Sequence, residues 1–227
     1  LVLHKPQTLG LAPALRDLGA RVVWRCHIGS DTGNGEIAAA WRFLGPYLAH
    51  AEAAIFSRRA YAASAPADVP VVTIAPSLDP FSAKNQDLDE GAVRAILAHT
   101  GLVAGPAPDG AQPAFVREDG SPGRVERCAD LVQLGPPAPA DAQLVVQISR
   151  WDPLKDHAGV MQAFARMLSR HPLPDAYLLL VGPNVHGVAD DPEAPAVFEE
   201  TVRLWRALPH GQRQRVRLVM LPTTDLE

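Results

Sequence analysis

The chain has 227 residues, of which 47% are hydrophobic and 20% are charged, with a formal net charge of -4 and an isoelectric point near 6.1. This length and apolar fraction are ordinary for one large globular domain or two modest ones, and they allow a substantial core. A slightly acidic chain has no general attraction to nucleic acid or to anionic membranes, so any phosphate must be bound by a local site.

No segment predicts a membrane anchor or a disulfide framework. No window approaches the roughly twenty apolar residues of a spanning helix, and residues 1–10 lack the basic region and cleavage site of a signal peptide. Cys26 and Cys128 are too few and too ill-spaced for a disulfide framework or a zinc site, so we expect reduced thiols and a cytoplasmic protein. Because the chain begins at Leu1 inside a predicted strand and ends at Glu227 just after another, we also expect a fragment.

Predicted strands and helices alternate through the first part of the chain. We predict strands at residues 1–4, 21–28, 53–57 and 69–75, helices at residues 9–18, 36–52 and 58–64, and a turn cluster at residues 29–35. Short apolar strands that alternate with helices are typical of a parallel sheet covered on both faces.

The composition changes after residue 76. An irregular stretch and a helix at residues 88–99 lead into residues 101–143, which are rich in Gly, Pro, Ala and Asp. Such a long loop in a compact domain indicates an insertion or a linker, so we predict a mobile insertion at a domain boundary. The alternation then resumes, with strands predicted at residues 144–149, 176–181 and 216–221 and helices at residues 158–169 and 196–207.

These patterns predict an α/β fold with two Rossmann-like parallel-sheet domains that face a cleft. Residues 1–88 would form the first domain, residues 89–143 a linker helix and insertion, and residues 144–227 the second domain. Ligands of open parallel sheets bind beyond the carboxyl ends of the strands, so both domains could face one ligand.

Residues 144–157, LVVQISRWDPLKDH, have the pattern of an anion site between a strand and a helix. An apolar run predicts a buried strand made by Leu144, Val145, Val146 and Ile148. Arg150 would lie at the carboxyl end of this strand and Lys155 near the helix start, where backbone N–H groups and the helix dipole favour negative charge. Either cation alone is more often a solvated surface charge. Together, the two cations predict a site that binds a diphosphate without a metal.

Other polar residues also follow predicted strands. His27 lies at a strand exit beside Arg25, where a histidine is more often structural, although a neutral imidazole can hydrogen bond to a sugar hydroxyl. Gly182 ends another strand, and Asn184 and His186 follow it, so these residues are candidates for lining a donor site.

No cluster of metal ligands is visible in the sequence. The acidic pairs Asp190-Asp191 and Glu199-Glu200 fall in a predicted loop and on a predicted helix flank, where solvation is the expected role. We therefore expect no metal and no bound cofactor.

Four motifs give the sequence a resemblance to a known family. VVWRCHIG, AWRFLGPYL, IAPSLDPFSAKN and VVQISRWDPLKD resemble segments of the glycosyltransferring trehalose synthases, which make trehalose from a nucleoside-diphosphate glucose and glucose. The resemblance covers nearly all of the chain except residues 101–143. WRCHI and the spacing of PSLDPFSAKN are quite specific, whereas SRxxxxK indicates only the wider class of two-domain, glycogen-synthase-like retaining glycosyltransferases.

The resemblance implies a GT-B fold with the donor in the cleft and retention of the α-configuration. It implies that Arg150 and Lys155 bind the donor diphosphate and that His27 contacts the donor glucose near its 6-hydroxyl, so these three are the predicted catalytic residues. The predicted donor-binding residues are Arg150, Lys155, Gly182 and Asn184. The implied partners are a nucleoside-diphosphate glucose and a sugar acceptor, with glucose expected; neither nucleic acid nor membrane is expected, and a homodimer is left open.

The sequence departs from the family pattern in two places. The family reads H-D-P-Q at the first strand, whereas this chain has His4, Lys5, Pro6 and Gln7, and a lysine in place of a carboxylate that orients the acceptor would invert the local charge. The chain also stops before the E-G-F-G-L-type segment whose carboxylates hold the ribose and the reacting sugar, so we expect it to be inactive alone. Two alternatives stay open: a nucleotide-sugar epimerase of similar fold, and a non-catalytic sugar-nucleotide binder.

Overall fold

The computed structural model describes residues 1–62, 65, 68–82, 85–171, 175–185 and 192–222. The chain divides into two compact units, Leu1–Leu78 and Asp79–Glu227. Each unit has its own parallel strands and its own buried apolar cluster, in agreement with the predicted α/β class. Within the described ranges, no helix is both long and apolar enough to cross a membrane.

The first unit contains a parallel sheet of four strands in the order β1-β2-β3-β4. Its strands are β1 (Val2–His4), β2 (Val23–Cys26), β3 (Ala53–Phe56) and β4 (Val71–Thr73). Its helices are α1 (Lys5–Thr8), α2 (Ala12–Asp17) and α3 (Gly35–Leu48), with 3-10 turns at Leu9–Leu11 and Arg59–Ala62.

The core of the first unit consists of alternate residues of the strands and the inner faces of the helices. Trp24, Phe56 and Leu48 are fully buried, and the ring of Trp24 meets the ring of Phe56 edge-on at 6.0 Å between centroids. Helix α3 begins where it does because Asn34 caps it: the Asn34 side-chain oxygen accepts the backbone N–H of Ile37 at 2.9 Å. The turn cluster before α3 is therefore joined directly to an ordered helix start.

The second unit contains a four-stranded sheet in the order β7-β10-β9-β8, and a separate two-stranded hairpin. The strands of the sheet are β7 (Asp130–Val132), β8 (Gln143–Ile148), β9 (Ala176–Pro183) and β10 (Val216–Leu221), and those of the hairpin are β5 (Ala114–Val116) and β6 (Pro122–Arg124). The helices are α4 (Glu90–His99), α5 (His157–Arg170), α6 (Ala194–Ala207) and α7 (His210–Arg213).

Strand β9 is the centre of the second unit. It pairs in parallel with β8 on one side and β10 on the other, and Leu178 and Leu180 on one face are fully buried. This face packs against apolar residues of α5 and α6, which include Met161 and Phe198, while Leu179 and Val181 on the other face form a second small cluster. A strand covered on both faces explains the unbroken apolar run in β9.

The segment at residues 101–143, predicted as a mobile insertion, is instead part of the fold of the second unit. Strand β7 pairs antiparallel with β10, and Leu131 packs against the small cluster under the sheet. Arg217 of β10, which is 3% exposed, donates a hydrogen bond to the carbonyl oxygen of Pro136 at 2.8 Å. The edge strand β7 has only three residues, and the many Gly and Pro residues around it led to the prediction of a loop. The domain boundary also differs from the prediction, because the units divide after Leu78 rather than at residue 88.

The prediction of a strand at β8 is correct, but the prediction that this strand is buried is wrong. Strand β8 exists, but it lies at the edge of the sheet, and Val145, Val146 and Ile148 are 45%, 48% and 73% exposed. A short apolar run fits a covered strand and an edge strand equally well, because the sequence of one strand does not report how many neighbours it has.

Trp151 joins the end of β8 to the core of the second unit. Its indole ring is fully buried, its N–H donates to the carbonyl oxygen of Pro183 at 2.9 Å, and its ring lies 4.8 Å from that of Phe198. A Cβ atom at Gly182 would lie only 2.6 Å from the indole ring and 2.9 Å from the carbonyl oxygen of Ser149. Position 182 therefore requires glycine because the indole lies directly against the backbone.

We expect Gly182→Ala to lower the free energy of unfolding by about 1–3 kcal/mol, because the added methyl group overpacks the Trp151 site. Urea unfolding followed by circular dichroism measures this change. Gly211→Ala is the matched control in the same unit, because a Cβ atom there meets no atom within 4 Å and α7 accepts alanine. Equal stabilities of the unsubstituted protein and Gly182→Ala would contradict the close packing.

Candidate functional site

The strand, loop and helix predicted as an anion site are all present in the second unit. Strand β8 ends at Ile148, a 3-10 turn spans Pro153–Lys155, and α5 begins at His157. Asp156 caps α5 from a left-handed backbone conformation (φ 50°, ψ 49°), and its carboxylate accepts the N–H of Gly159 at 2.9 Å. The negative charge that the helix start favours is thus already supplied in part by Asp156.

Arg150 and Lys155 both lie on the exposed side of this loop. One terminal N–H group of Arg150 donates to Asp152 at 3.0 Å, and the Arg150 side chain is 61% exposed. The other carboxylate oxygen of Asp152 accepts the N–H of Leu154 at 2.8 Å, so this single side chain both caps the 3-10 turn and orients the guanidinium. The backbone carbonyl of Lys155 accepts a hydrogen bond from Gln147 at 2.8 Å, which ties the lysine to β8.

A buried histidine supports the loop from beneath. His157 is 2% exposed, its Nε2 lies 3.1 Å from the hydroxyl oxygen of Ser149, and its ring lies 4.7 Å from that of Trp151. Burial lowers the pKa of His157 more than the charges of Asp152 and Asp156 raise it, which favours the neutral imidazole.

The sequence reasoning missed the pair of Ser149 and His157. A signal for it exists, because His157 shares a helix face with the buried Met161 and Phe164 at spacings of four and seven residues. A histidine on a core-facing stripe at a helix start needs a polar partner, and Ser149 is the polar residue that directly follows the preceding strand.

Gly182 and Asn184 make structural contacts at the end of β9. Gly182 lies against Trp151, the side-chain amide of Asn184 donates to Asp130 at 2.9 Å, and the Asn184 backbone N–H donates to Leu221 at 2.8 Å. These contacts fix the end of β9 to its neighbours. Their predicted role in donor binding stays a prediction.

The remaining candidates of the second unit are His186 and the acidic pairs. His186, Asp190 and Asp191 lie outside the described residues. Glu200 is exposed and pairs with Arg203 at 3.4 Å, as expected for a solvated helix flank. Among the residues that the structure describes, no group of three or more His, Cys, Asp or Glu side chains could hold a metal ion.

In the first unit, His27 follows β2 and contacts a second histidine. Nδ1 of His4 lies 2.9 Å from Nε2 of His27, and the two rings stack at 5.2 Å between centroids with an interplanar angle of 16°. Partial loss of water and then the nearby charges of Arg25, His4 and Lys5 lower the pKa of His27. The sequence placed both histidines at strand ends, and the parallel register of β1 and β2 brings them together.

Lys5 has an unusual backbone conformation, with a φ of 69° in the left-handed region. That region is uncommon for residues other than Gly, Asn and Asp. The conformation is held from below, because the indole N–H of the fully buried Trp24 donates to the carbonyl oxygen of Lys5 at 3.0 Å. The lysine thus stands where asparagine or aspartate would fit the backbone more easily.

The turn cluster after His27 covers a cavity of about 230 Å³, whose walls include Ile37, Trp41 and Tyr61. Arg58 holds this cluster through an ion pair of 2.6 Å with Asp31. The ring of Tyr61 lies so close to Gly29 that a Cβ atom at position 29 would overlap the ring. The loop next to His27 is therefore fixed by contacts from the segment that follows β3.

We expect the stability of the protein to fall as the pH drops below about 6.5, because unfolded His157 binds a proton that the buried, folded imidazole resists. One such group changes the free energy of unfolding by at most about 1.4 kcal/mol per pH unit. Urea unfolding across this pH range should show a shallower slope for His157→Gln. His210→Gln, which changes an exposed histidine of the same unit, serves as the control; equal slopes for the two variants would argue against a resisted proton at His157.

The comparisons with known proteins extend over nearly the whole chain. Residues 1–63 match the family model described as the N-terminal domain of trehalose synthase. The trehalose synthase of Thermococcus litoralis is 27% identical over 205 residues, which cover 89% of this chain and 38% of that protein. The trehalose synthase of Rubrobacter xylanophilus is 29% identical over 185 residues, which cover 81% of this chain and 34% of that protein. The chain thus spans about 38% of the length of the first of these relatives.

Solved structures match the fold of the chain. The UDP-forming trehalose-phosphate synthase of Burkholderia vietnamiensis aligns with a TM-score of 0.57 and 14% identity, covering 96% of this chain and 46% of that protein. HepE of Anabaena, solved with UDP and glucose, aligns with a TM-score of 0.60 and 15% identity, covering 97% of this chain and 47% of that protein. The resemblance seen in the motifs is confirmed as a similarity: the chain is similar in sequence to trehalose synthases, and its fold is that of the GT-B type.

Proposed function

We propose that this chain is part of a retaining hexosyltransferase that moves glucose from a nucleoside-diphosphate glucose to a sugar acceptor. The observation that carries the proposal is the loop after β8, which presents Arg150 and Lys155 on its exposed side while Trp151 and His157 fix it from beneath. Two cations on a held loop suit a ligand with two adjacent phosphates, because Arg supplies a planar fork of donors and Lys a point charge.

The chemistry requires a stabilised leaving group. In the transfer, the bond between the anomeric carbon and the diphosphate oxygen breaks, the acceptor hydroxyl oxygen bonds to the anomeric carbon, and the hydroxyl proton leaves with the diphosphate. Negative charge grows on the departing phosphate, and cations already in position stabilise that charge without reorganisation. In this proposal, Asp152 positions Arg150, since its carboxylate holds both the guanidinium and the 3-10 turn.

His27 is the proposed contact to the donor glucose. Its lowered pKa favours the neutral imidazole, in which one ring nitrogen donates a hydrogen bond and the other accepts one. Because His4 holds one of these nitrogens at 2.9 Å, the ring is oriented and its other nitrogen remains for a sugar hydroxyl. A role near the 6-hydroxyl follows the family resemblance.

The partners of the proposed reaction find support in related folds. HepE of Anabaena was solved with UDP and glucose, and the trehalose-phosphate synthase of Burkholderia xenovorans was solved with glucose-6-phosphate. A nucleoside-diphosphate donor and a monosaccharide acceptor therefore suit a chain of this fold. Glucose as the acceptor, with trehalose as the product, is the expectation from the relatives named trehalose synthases.

A non-catalytic sugar-nucleotide binder is the second candidate, and one observation favours it. Lys5 stands in a strained left-handed conformation at the place where the family pattern has a carboxylate. If that carboxylate is needed for the acceptor, the protein would bind the donor without turnover.

In the full-length protein, we expect Arg150→Ala and Lys155→Ala each to weaken the binding of nucleoside diphosphates and to slow glucosyl transfer by about 10²–10³-fold, by analogy with the loss of an oxyanion-hole donor. Calorimetry with UDP, GDP and ADP measures the binding, and circular dichroism checks that the fold is kept. Arg166→Ala removes an exposed charge from the outer face of α5 and is the matched control. Unchanged affinity in both loop variants would remove the diphosphate site.

We expect the full-length protein of which this chain is part, supplied with a nucleoside-diphosphate glucose and glucose, to release the nucleoside diphosphate and to form an α-linked disaccharide. Proton NMR of the product reads the anomeric configuration directly. Epimerisation of the sugar nucleotide without an acceptor would support the epimerase instead. Donor binding without any product from a panel of neutral and anionic sugars would support the non-catalytic binder.

A further inference from the structure

Three polar side chains, Gln147, Ser149 and His157, lie beneath the loop that follows β8. Gln147 pairs in register with Leu180, so both side chains lie on the face of the sheet that packs against α5 and α6. An apolar residue would suit this face better, because burying an amide costs free energy unless it is hydrogen bonded. The polar groups on this face therefore need hydrogen-bond partners.

The amide of Gln147 joins the two ends of the loop. Its nitrogen donates to the backbone carbonyl oxygen of Lys155 at 2.8 Å and makes a longer contact of 3.4 Å with the hydroxyl oxygen of Ser149. The backbone N–H of Ser149 donates to the carbonyl oxygen of Val181 at 2.9 Å, which fixes the residue to β9. Because Ser149 also directly precedes Arg150, its hydroxyl lies close to the backbone of both cationic residues.

The neutral ring of His157 decides which way the hydroxyl of Ser149 points. Nε2 of the ring lies 3.1 Å from the hydroxyl oxygen, whereas Nδ1 is buried and has no hydrogen-bond partner among the described residues. A neutral imidazole carries one proton, and a buried N–H group without an acceptor is rarer than a buried acceptor without a donor. We therefore place the proton on Nε2, which then donates to the oxygen of Ser149.

With this tautomer, the hydroxyl proton of Ser149 is an unused donor. The Ser149 oxygen accepts from His157 and contacts the amide nitrogen of Gln147, and neither of these nitrogens can accept the hydroxyl proton. In the part of the chain that the structure describes, the hydroxyl of Ser149 has no other hydrogen-bond partner. Ser149 is only partly buried, so its hydroxyl can reach a ligand on the exposed side of the loop.

We propose that Ser149 is a further ligand-binding residue, whose hydroxyl donates to a phosphate oxygen of the bound nucleoside diphosphate. The inference rests on the proposed function, which brings a diphosphate to Arg150 and Lys155. The hydroxyl adds a short donor beside two long cationic side chains, and a hydrogen bond to an ionised acceptor is stronger than one between neutral groups. His157 and Gln147 are positioning residues, because both present donors to the Ser149 oxygen and so turn its proton outward.

The first test measures binding in the full-length protein of which this chain is part. We expect Ser149→Ala to weaken the binding of UDP, GDP and ADP roughly tenfold or more, as for the loss of a hydrogen bond to a charged group. Calorimetry measures the affinity, and circular dichroism checks that the fold is kept. Ser169→Ala is the matched control, because Ser169 also contacts a glutamine amide, that of Gln212 at 2.8 Å, but lies at the opposite end of α5.

The second test reads the hydrogen bonds in the unsubstituted full-length protein. Nitrogen NMR of labelled histidine identifies the protonated ring nitrogen of His157, with the signal assigned by His157→Gln. We expect the proton on Nε2, and we expect its signal to move downfield when a nucleoside diphosphate binds. The reason is cooperativity, because a hydroxyl that donates to an anion becomes a stronger acceptor for the next donor in the chain.

Three results would overturn the role of Ser149: a proton on Nδ1 of His157, a proton signal on Nε2 that does not move when the diphosphate binds, or equal diphosphate affinities of Ser149→Ala and Ser169→Ala. The failure of the proposed function looks different, because Arg150→Ala and Lys155→Ala would then leave the diphosphate affinity unchanged. Weak binding by those two variants with normal binding by Ser149→Ala would remove only the role of the hydroxyl. A full-length protein that binds no nucleoside diphosphate would remove both proposals.

Discussion

The close contact between the indole of Trp151 and the backbone at Gly182 is the constraint on which the second unit depends. It fixes the residue after Arg150 in the core, at the point where β8 gives way to the loop. His157 packs on the same indole and reaches back to Ser149, so the helix start and the strand end are joined through one buried aromatic ring. Two exposed cations can be held in a defined place only because apolar packing beneath them supplies the rigidity.

The first unit uses a similar arrangement with different residues. Trp24 is fully buried, and its N–H holds the carbonyl oxygen of Lys5. The residue that follows β1 is thus positioned by a core indole as well. In both units a tryptophan fills the core with its ring and uses its single donor to fix the chain at the end of a strand or directly after it. The polar groups that could meet a ligand are then displayed at the strand ends, which is where open parallel sheets bind their ligands.

The sequence predicted the order of strands and helices well, because their apolar periods are clear; β10, for example, has the predicted bounds of residues 216–221. The prediction failed where a structural property depends on residues that are distant in the sequence. The burial of β8 depends on the number of its neighbours, and the pairing of β7 depends on a distant strand. A lysine in the sequence does not indicate a left-handed backbone, so the conformation of Lys5 could not be predicted. It is explained by the hydrogen bond from the indole of Trp24, which lies 19 residues away in the sequence.

The candidate site was likewise predictable only in part. Arg150, Lys155 and His27 were predicted because they follow apolar strands, and the structure has a loop after β8 and a strand end before His27 at these places. Their roles in binding stay predictions. Ser149 and His157 were missed, since they act through a contact that forms only when the loop folds back on α5. Asp152 was missed although its contacts with Arg150 and Leu154 lie within the loop itself. The contact of His4 with His27 required the register of two parallel strands, which the sequence does not state.

The exposed edge of β8 has a practical consequence for handling the protein. Within the described residues β8 pairs with β9 alone, and three of its β-branched side chains, Val145, Val146 and Ile148, are between 45% and 73% exposed. An open row of backbone donors and acceptors flanked by apolar side chains is a template for strand addition from another molecule. Self-association of this 227-residue chain, which spans about 38% of the length of its relative from Thermococcus litoralis, should therefore grow with concentration, so dilute samples of it are the safer choice for titrations and spectroscopy.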